Sequence, residues 1–177
     1  WGDNSRNQAN APFTINPIQI ATGGRHACLL DGATVDCWGW NFNGQTDVPS
    51  TLRNPRQVTA GLYHSCALDD DGVHCWGSNA YGQTDVPELV NPKYLSSGLG
   101  NHNCVVDDTG VVCWGDDEHS QAQALPLVRP TDVSVGYEHT CALDDSGVQC
   151  WGKNSQGQLD VPVLENPKQG SVGGNYS

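Results

Sequence analysis

Eight cysteines are the residues of this chain whose type and spacing could do chemistry, because they form four pairs with a spacing of nine. Each pair flanks an acidic turn. A two-residue loop at Asp70-Asp71 would place Cys66 opposite Cys75 at the close, non-hydrogen-bonded position of an antiparallel hairpin. A three-residue loop with a bulge at Gly72 would shift the register and separate the two cysteines. We favour the disulfide register for every pair: Cys28 with Cys37, Cys66 with Cys75, Cys104 with Cys113, and Cys141 with Cys150.

Metal binding is the competing interpretation of the cysteines and of other recurrent side chains. The cysteine spacing lacks the Cys-x-x-Cys pair of structural zinc sites. Four histidines at one repeat position would lie in different units, too far apart for one ion, so we predict structural hydrogen bonds at the turns instead. They are His26, His64, His102 and His139.

Two further recurrent features receive structural interpretations. The acidic turns, Asp69 to Asp71, Asp107-Asp108 and Asp144-Asp145, offer fewer oxygens than the six to eight that calcium takes, and Asp is a common turn residue. A recurrent glutamine is predicted to tie one loop to its neighbour through its amide; it is Gln8, Gln45, Gln83, Gln121 and Gln158. We expect no metal, no cofactor and, since no nucleophile elbow, zinc-protease or phosphate-loop motif is present, no enzyme.

The elements that position these residues follow from a repeat. Cys-Trp-Gly occurs at Cys37, Cys75, Cys113 and Cys150, so the chain is an array of one unit. We treat 1–177 as a single repeat array with approximate units 1–15, 16–53, 54–90, 91–128, 129–165 and 166–177, the first and last incomplete, as if cut from a longer array. Turn residues divide a unit into about four short strands, and no segment has helical periodicity.

Strand alternation gives each unit two apolar faces. On the third strand Cys75 and Val73 point one way, and Trp76 and His74 point the other. Such a sheet must be covered on both sides, as radially packed propeller blades are. The recurrent tryptophans are therefore predicted to be core between blades: Trp38, Trp76, Trp114 and Trp151.

The composition limits the compartment and the partners. Eight cysteines without a methionine are typical of an exported protein, so we expect an oxidising compartment: extracellular, cell-surface or periplasmic. A formal net charge of -12 argues against a phosphate-binding surface. We therefore expect no nucleic-acid partner, and the absence of a long apolar run predicts no membrane insertion.

The pattern Gly-x-x-His-Ser/Thr-Cys-Ala-Leu, followed by Gly-Val-x-Cys-Trp-Gly-x-Asn-x-x-Gly-Gln, resembles the regulator of chromosome condensation repeat. Members form β-propellers, typically with seven blades. The following Thr-Asp-Val-Pro is similar to the secreted bacterial branch that includes β-lactamase inhibitory protein II, from which the hairpin cysteines depart. The resemblance implies an all-β propeller of about five four-stranded blades with cross-strand hairpin disulfides. These blades would be a segment of a seven-bladed ring, and a five-bladed ring stays an alternative.

Function is expected where the copies differ. The residues between the glycine and the histidine vary, as do those after Trp-Gly, and in an up-and-down blade both stretches emerge on the face opposite the acidic turns. The third copy varies most, since Asp116 to Pro126 loses the turn glycine and gains one residue. We predict a partner-binding surface of hot-spot residue types, although ordinary exposed turn residues are the alternative. Its residues are Trp40, Phe42, Leu62, Tyr63, Tyr81, Asn101, His119, Tyr137 and Glu138.

These observations predict an exported protein-binding propeller module that uses its aromatic loop face. The partner is another protein or a further copy of the chain. The alternative is a structural subunit of an extracellular fibre or multidomain adhesin, whose open strand edges recruit other chains. Inhibition of a β-lactamase is a third possibility that the resemblance alone implies.

Overall fold

Four three-stranded antiparallel sheets, one per repeat unit, form the molecule. The computed structural model describes residues 3–162, 164–165 and 167–174, so Trp1, Gly2 and Asn175 lie outside the described residues. Within each sheet the strand order follows the chain. The strands are β1 Pro17–Thr22, β2 His26–Asp31, β3 Thr34–Gly39, β4 Gln57–Ala60, β5 His64–Leu68, β6 Val73–Gly77, β7 Tyr94–Ser97, β8 His102–Asp107, β9 Gly110–Gly115, β10 Asp132–Val135, β11 His139–Asp144 and β12 Gly147–Gly152. None of the described residues forms a helix that could span a membrane.

The hairpin between the second and third strand of each unit has the predicted register. Cys66 lies directly opposite Cys75, and their Cα atoms are 4.1 Å apart, as in a close non-hydrogen-bonded pair. The backbone N–H of Asp69 donates to Gly72 O at 2.9 Å, which leaves Asp70-Asp71 as the two-residue loop. The other three cysteine pairs are joined in the same way.

The prediction of a fourth strand in each unit is wrong, because the segment after Trp-Gly folds into turns. In the second unit Asn79 Oδ1 accepts from the backbone N–H of Thr84 at 3.0 Å, and Asn79 Nδ2 donates to Asp85 at 2.9 Å. Gln83 Oε1 accepts from the N–H of Tyr81 at 2.8 Å. These side chains occupy backbone donors that a sheet ladder would use. The described blades are thus three-stranded, and four of them are complete rather than about five.

Each junction buries the cysteine face of one sheet against the tryptophan face of the next, as the strand alternation predicts. Between the first two units Cys28 and Leu30 pack against Val58, Ala67 and Trp76. The next two junctions repeat this arrangement. Trp76, Trp114 and Trp151 are buried, which agrees with their interpretation as core between blades.

The first strands of the units lie side by side, which gives the array its radial, propeller-like arrangement. Leu95 N donates to Gln57 Oε1 at 2.9 Å, across equivalent strands of neighbouring units. Thr59 Oγ1 and Ser97 Oγ are 2.8 Å apart in the same junction. Bonds of this kind between equivalent positions place β1, β4, β7 and β10 next to one another at one edge of the packed sheets.

The third unit keeps the loop conformation of the others without their glycine. Ser120 has a φ of +61°, where Gly44, Gly82 and Gly157 have φ between +75° and +80°. A left-handed conformation is unfavourable for a residue that carries a Cβ. The inserted residue lies further on: Ala124 packs into the core of its junction, and Leu125 is exposed.

We predict that Ser120→Gly stabilises the protein by about 0.5–1 kcal/mol, because relief of left-handed strain exceeds the entropy that glycine adds to the unfolded chain. The reciprocal Gly82→Ser should destabilise it by a similar amount, since the nearest atom to an added Cβ is 3.6 Å away and only the backbone is strained. Urea denaturation of both variants measures the effect. Equal midpoints for Ser120→Gly and the parent chain would contradict the assignment of strain.

Candidate functional site

The two variable stretches of each unit meet at one end of the molecule, which we call the loop face. Trp40 N donates to Arg25 O at 2.8 Å, which ties the residue after Trp-Gly to the turn before the histidine. Ser78 makes the equivalent bond to Tyr63 at 2.9 Å. The third and fourth units repeat it. The loop face therefore consists of residues 23–25, 61–63, 98–101, 136–138 and 173–174, and of the segments 3–10, 40–47, 78–85, 116–123 and 153–160.

An aromatic cluster, defined as Arg25, Trp40, Phe42 and Tyr63, lies on the loop face between the first two units. The Trp40 and Phe42 rings stack with centroids 6.1 Å apart and an interplanar angle of 17°. Tyr63 meets Trp40 edge-on at 5.4 Å. The Arg25 guanidinium lies 5.9 Å from the Trp40 ring centroid, within cation–π range. Phe42 remains 82% exposed, so the cluster presents one face of this aromatic ring to solvent.

A second group on the loop face is polar and joins the third and fourth units. Glu138 pairs with Lys153 and lies 3.4 Å from His119 Nε2. Asn101 accepts a longer bond, 3.5 Å, from Gln83 Nε2 of the preceding unit.

The remaining predicted residues stand apart from these two groups. Tyr81 and Tyr137 are 54% and 42% exposed and contact no other aromatic ring within the described part of the chain. Leu62 covers Gly24 of the preceding unit. The sequence-based prediction did not include Arg25 and Lys153, although both occupy the variable stretches. It was based mainly on aromatic residue types and did not consider the cations beside them.

The histidines hydrogen-bond as expected, but to the next unit rather than within their own turn. His26 Nε2 lies 2.9 Å from Ser65 Oγ, and that hydroxyl donates to Gln45 O at 2.9 Å. Because the hydroxyl hydrogen is used on the carbonyl, the imidazole must be the donor, through Nε2–H. His64 meets Asn103, and His102 meets Thr140, in the same way.

Burial holds these imidazoles neutral. Desolvation lowers the pKa of His64 to about 4. The pKa of His102 falls to about 3 through burial, with added repulsion from His64 and His139. Protonation would place a hydrogen on Nδ1, and the Nδ1 atoms of His26, His64 and His102 have no hydrogen-bond partner among the described residues. His26, His64 and His102 are therefore neutral hydrogen-bonding elements of the junctions.

The recurrent glutamine ties neighbouring loops mainly through its backbone, which corrects the amide interpretation. Gln45 Oε1 accepts from Asn43 N at 3.0 Å, inside its own loop. Its carbonyl oxygen instead receives Trp76 Nε1 of the next unit at 3.0 Å. The same bond to the preceding glutamine carbonyl is made by Trp38, Trp114 and Trp151.

The acidic turns use their first carboxylate internally. Asp69 accepts from the backbone N–H groups of Arg53 at 2.7 Å, Asp71 at 2.8 Å and Gly72 at 3.1 Å. Burial alone raises the pKa of Asp69, but these donors outweigh it and hold the pKa below its usual value. Among the described residues no group of three or more His, Cys, Asp or Glu side chains is placed to hold a metal ion.

The repeat units match a known family model. The regulator of chromosome condensation (RCC1) repeat model matches residues 18–45, 56–83 and 131–158. The chain thus contains RCC1 repeats in three of its units. The third unit, which lies outside these matches, is the one in which Ser120 replaces the loop glycine and a residue is inserted.

Solved structures share the RCC1 propeller fold. The CRINKLY WD40 ectodomain of the Arabidopsis thaliana receptor kinase ACR4 is 27% identical with a TM-score of 0.71, over 86% of this chain and 62% of that one. Saccharomyces cerevisiae Prp20p is 18% identical with a TM-score of 0.72, over 88% of this chain and 49% of that one. The ectodomain of the Physcomitrella patens receptor kinase CR4 is 24% identical with a TM-score of 0.66, over 86% and 44%.

The chain thus spans from 44% to 62% of the length of these three structures. None of them is bacterial, so the likeness to the secreted bacterial branch stays a prediction. The comparison with curated proteins found no match.

We predict that the protein loses stability as the pH falls from 6.5 towards 4. Unfolded histidines bind protons near pH 6.5, whereas folded His64 and His102 stay neutral to about pH 4 and 3. The unfolded state therefore takes up more protons in this window, at a cost on the order of 2 kcal/mol per histidine at pH 5. The lowered pKa of Asp69 adds to the loss only below about pH 5, where the unfolded carboxyl begins to bind protons.

Urea midpoints at pH 7 and pH 5 measure this loss. Identical midpoints at the two pH values would rule out the neutral-histidine junction.

Proposed function

We propose that this RCC1-repeat chain is a non-catalytic protein-binding module whose loop face contacts the partner. The observation that carries the proposal is the aromatic cluster. Trp40, Phe42 and Tyr63 come from two different units, yet they meet in one surface patch whose outermost ring is 82% exposed. Exposed Trp and Tyr, with Arg beside them, are the residue types that dominate binding energy at protein interfaces.

The way the repeat uses its side chains supports this placement. The recurrent histidine, glutamine, tryptophan and first turn aspartate all make bonds within or between units. The repeat does not require the rings of the aromatic cluster, since Trp40, Phe42 and Tyr63 occupy positions that are Ser78, Ala80 and Asn101 elsewhere in the array. A fold that tolerates serine, alanine or asparagine there does not need aromatic rings for stability. Their presence is better explained by a partner.

The neighbours agree with this class of function. Prp20p has described binding properties towards Gsp1p and histones, and it also has a described complex partner in Kap60. Two further neighbours are ectodomains of receptor kinases. Together with four cystine hairpins, which persist in oxidising compartments, they support a site of action that is extracellular, at the cell surface or periplasmic.

We predict that Phe42→Ser combined with Tyr81→Ser abolishes capture of the partner from the exported proteins of the source, because both side chains project from the loop face. Val90→Ser combined with Val128→Ser is the matched control, since these exposed aliphatic residues precede Asn91 and Arg129 at the acidic-turn end. Affinity capture with quantitative mass spectrometry compares the two variants with the parent chain. Loss in both variants, or in neither, would contradict binding through the loop face.

A structural subunit of a fibre or adhesin is the second candidate, and one observation favours it. Ile18 and Ile20 on β1 are each 60% exposed, whereas Val58, which occupies the position of Ile20 in the second unit, is buried by the preceding sheet. If this face assembles with further copies, light scattering should show a mass that rises with concentration, and Ile18→Thr with Ile20→Thr should return it to the monomer. A monomer at every concentration would exclude this candidate. No observation of the structure favours β-lactamase inhibition.

A further inference from the structure

The loop face has an uneven charge. Its segments carry eight carboxylates, namely Asp3, Asp47, Asp85, Asp116, Asp117, Glu118, Glu138 and Asp160, and three cations, Arg6, Arg25 and Lys153. Two of these cations are engaged within the molecule. Arg25 lies over Trp40, and Lys153 pairs with Glu138. The face therefore carries a net negative charge, which attracts positively charged partners.

At the acidic-turn end of the molecule, cations form ion pairs with the carboxylates of the turns. Arg53 lies 3.4 Å from Asp71, Lys93 pairs with Asp108, and Arg129 pairs with Asp145. Exposed apolar residues lie there as well, such as Phe13, Val90 and Val128. At the loop face Glu138 pairs with Lys153, and the remaining excess of carboxylates over cations coincides with several exposed aromatic rings.

The aromatic cluster shows which chemical group suits these rings. The Trp40 ring already has a guanidinium within cation–π range, supplied by Arg25. The exposed rings of Phe42, Tyr81 and Tyr137 offer further faces on the same surface. An aromatic ring attracts cations through its quadrupole, and nearby carboxylates add charge-assisted hydrogen bonds to Lys or Arg.

From this charge complementarity, and resting on the proposed function, we infer that the partner is a polypeptide that docks a lysine- and arginine-bearing segment onto the loop face. Its cations meet the carboxylates of Asp116 and Glu118 and the exposed aromatic rings. An anionic segment would face repulsion from the same carboxylates.

A peptide selection tests the inference without a known partner. A phage-displayed dodecapeptide library is selected on the intact, oxidised chain, and the strongest peptide is labelled for fluorescence anisotropy. We expect selected peptides rich in Lys and Arg, with affinity that falls as salt rises from about 50 to 300 mM because screening shortens the range of the charges. Selected peptides without an excess of cations would overturn the inference.

Two variants of equal charge locate the site. Asp116→Asn, Asp117→Asn and Glu118→Gln together remove three charges from the loop face, and Asp117→Asn restores the asparagine of the other units. Asp70→Asn, Asp71→Asn and Asp108→Asn remove three charges from the acidic-turn end. We expect the first variant to weaken the peptide about tenfold and the second less than about twofold, as local charge complementarity requires. Equal effects would show attraction by net charge alone and overturn the inference.

Two further results separate this inference from the proposed function. If Phe42→Ser with Tyr81→Ser abolishes partner capture but the two charge variants bind the peptide equally, the loop face binds a protein and the assignment of a cationic segment is wrong. If the aromatic variant changes neither partner capture nor peptide binding, the proposed function itself fails. Free spermine that displaces the peptide at equal concentration would show a site for any polycation and overturn the assignment of a polypeptide.

Discussion

The backbone carbonyl of the recurrent glutamine is the acceptor on which every junction between units depends. Gln45 O receives the indole N–H of Trp76 at 3.0 Å and the hydroxyl of Ser65 at 2.9 Å, both from the following unit. A buried indole N–H without an acceptor is costly, so the tryptophan can be buried only when a preceding loop presents this carbonyl. No unit can therefore complete its own core. The glutamine side chain, by closing the loop on itself, holds the carbonyl in place.

This interaction also determines the chemistry of the histidines. Ser65 gives its only hydrogen to the carbonyl, so it can serve His26 only as an acceptor, and the imidazole is fixed as a neutral Nε2–H donor. Burial, with repulsion from His64, then lowers the pKa of His26 to about 4, and its Nδ1 has no hydrogen-bond partner among the described residues. Carbonyl, hydroxyl and imidazole form one chain of hydrogen bonds across the junction. In this chain the carbonyl makes the hydroxyl a donor, and the hydroxyl oxygen in turn makes the imidazole a donor. The acid sensitivity of the fold follows from the same bonds that bury its tryptophans.

Much of this architecture could be predicted from the sequence because it depends on local geometry. The spacing of nine fixes Cys66 opposite Cys75, and a period of two assigns cysteine and tryptophan to opposite faces. The fourth strand could not be predicted from periodicity, since it is abolished by side chains such as Asn79 that bond the backbone of their own loop. Hydrogen-bond partners across a junction could not be predicted either. Ser65 lies thirty-nine residues from His26, and no local sequence pattern near His26 indicates that the two side chains meet.

Steric constraints explain why the fixed and the variable positions of these turns could be told apart from the sequence. A Cβ on Gly61 would lie 2.1 Å from His64 Cε1, so the imidazole packs directly on the glycine. The turn is further closed by the bond from Gly61 N to His64 O at 2.9 Å. The imidazole of His64 therefore requires a glycine at position 61. The two residues between them, Leu62 and Tyr63, can vary without changing the backbone of the turn. A surface built from such positions presents its side chains with little loss of backbone entropy on binding, which suits the binding function proposed for the loop face.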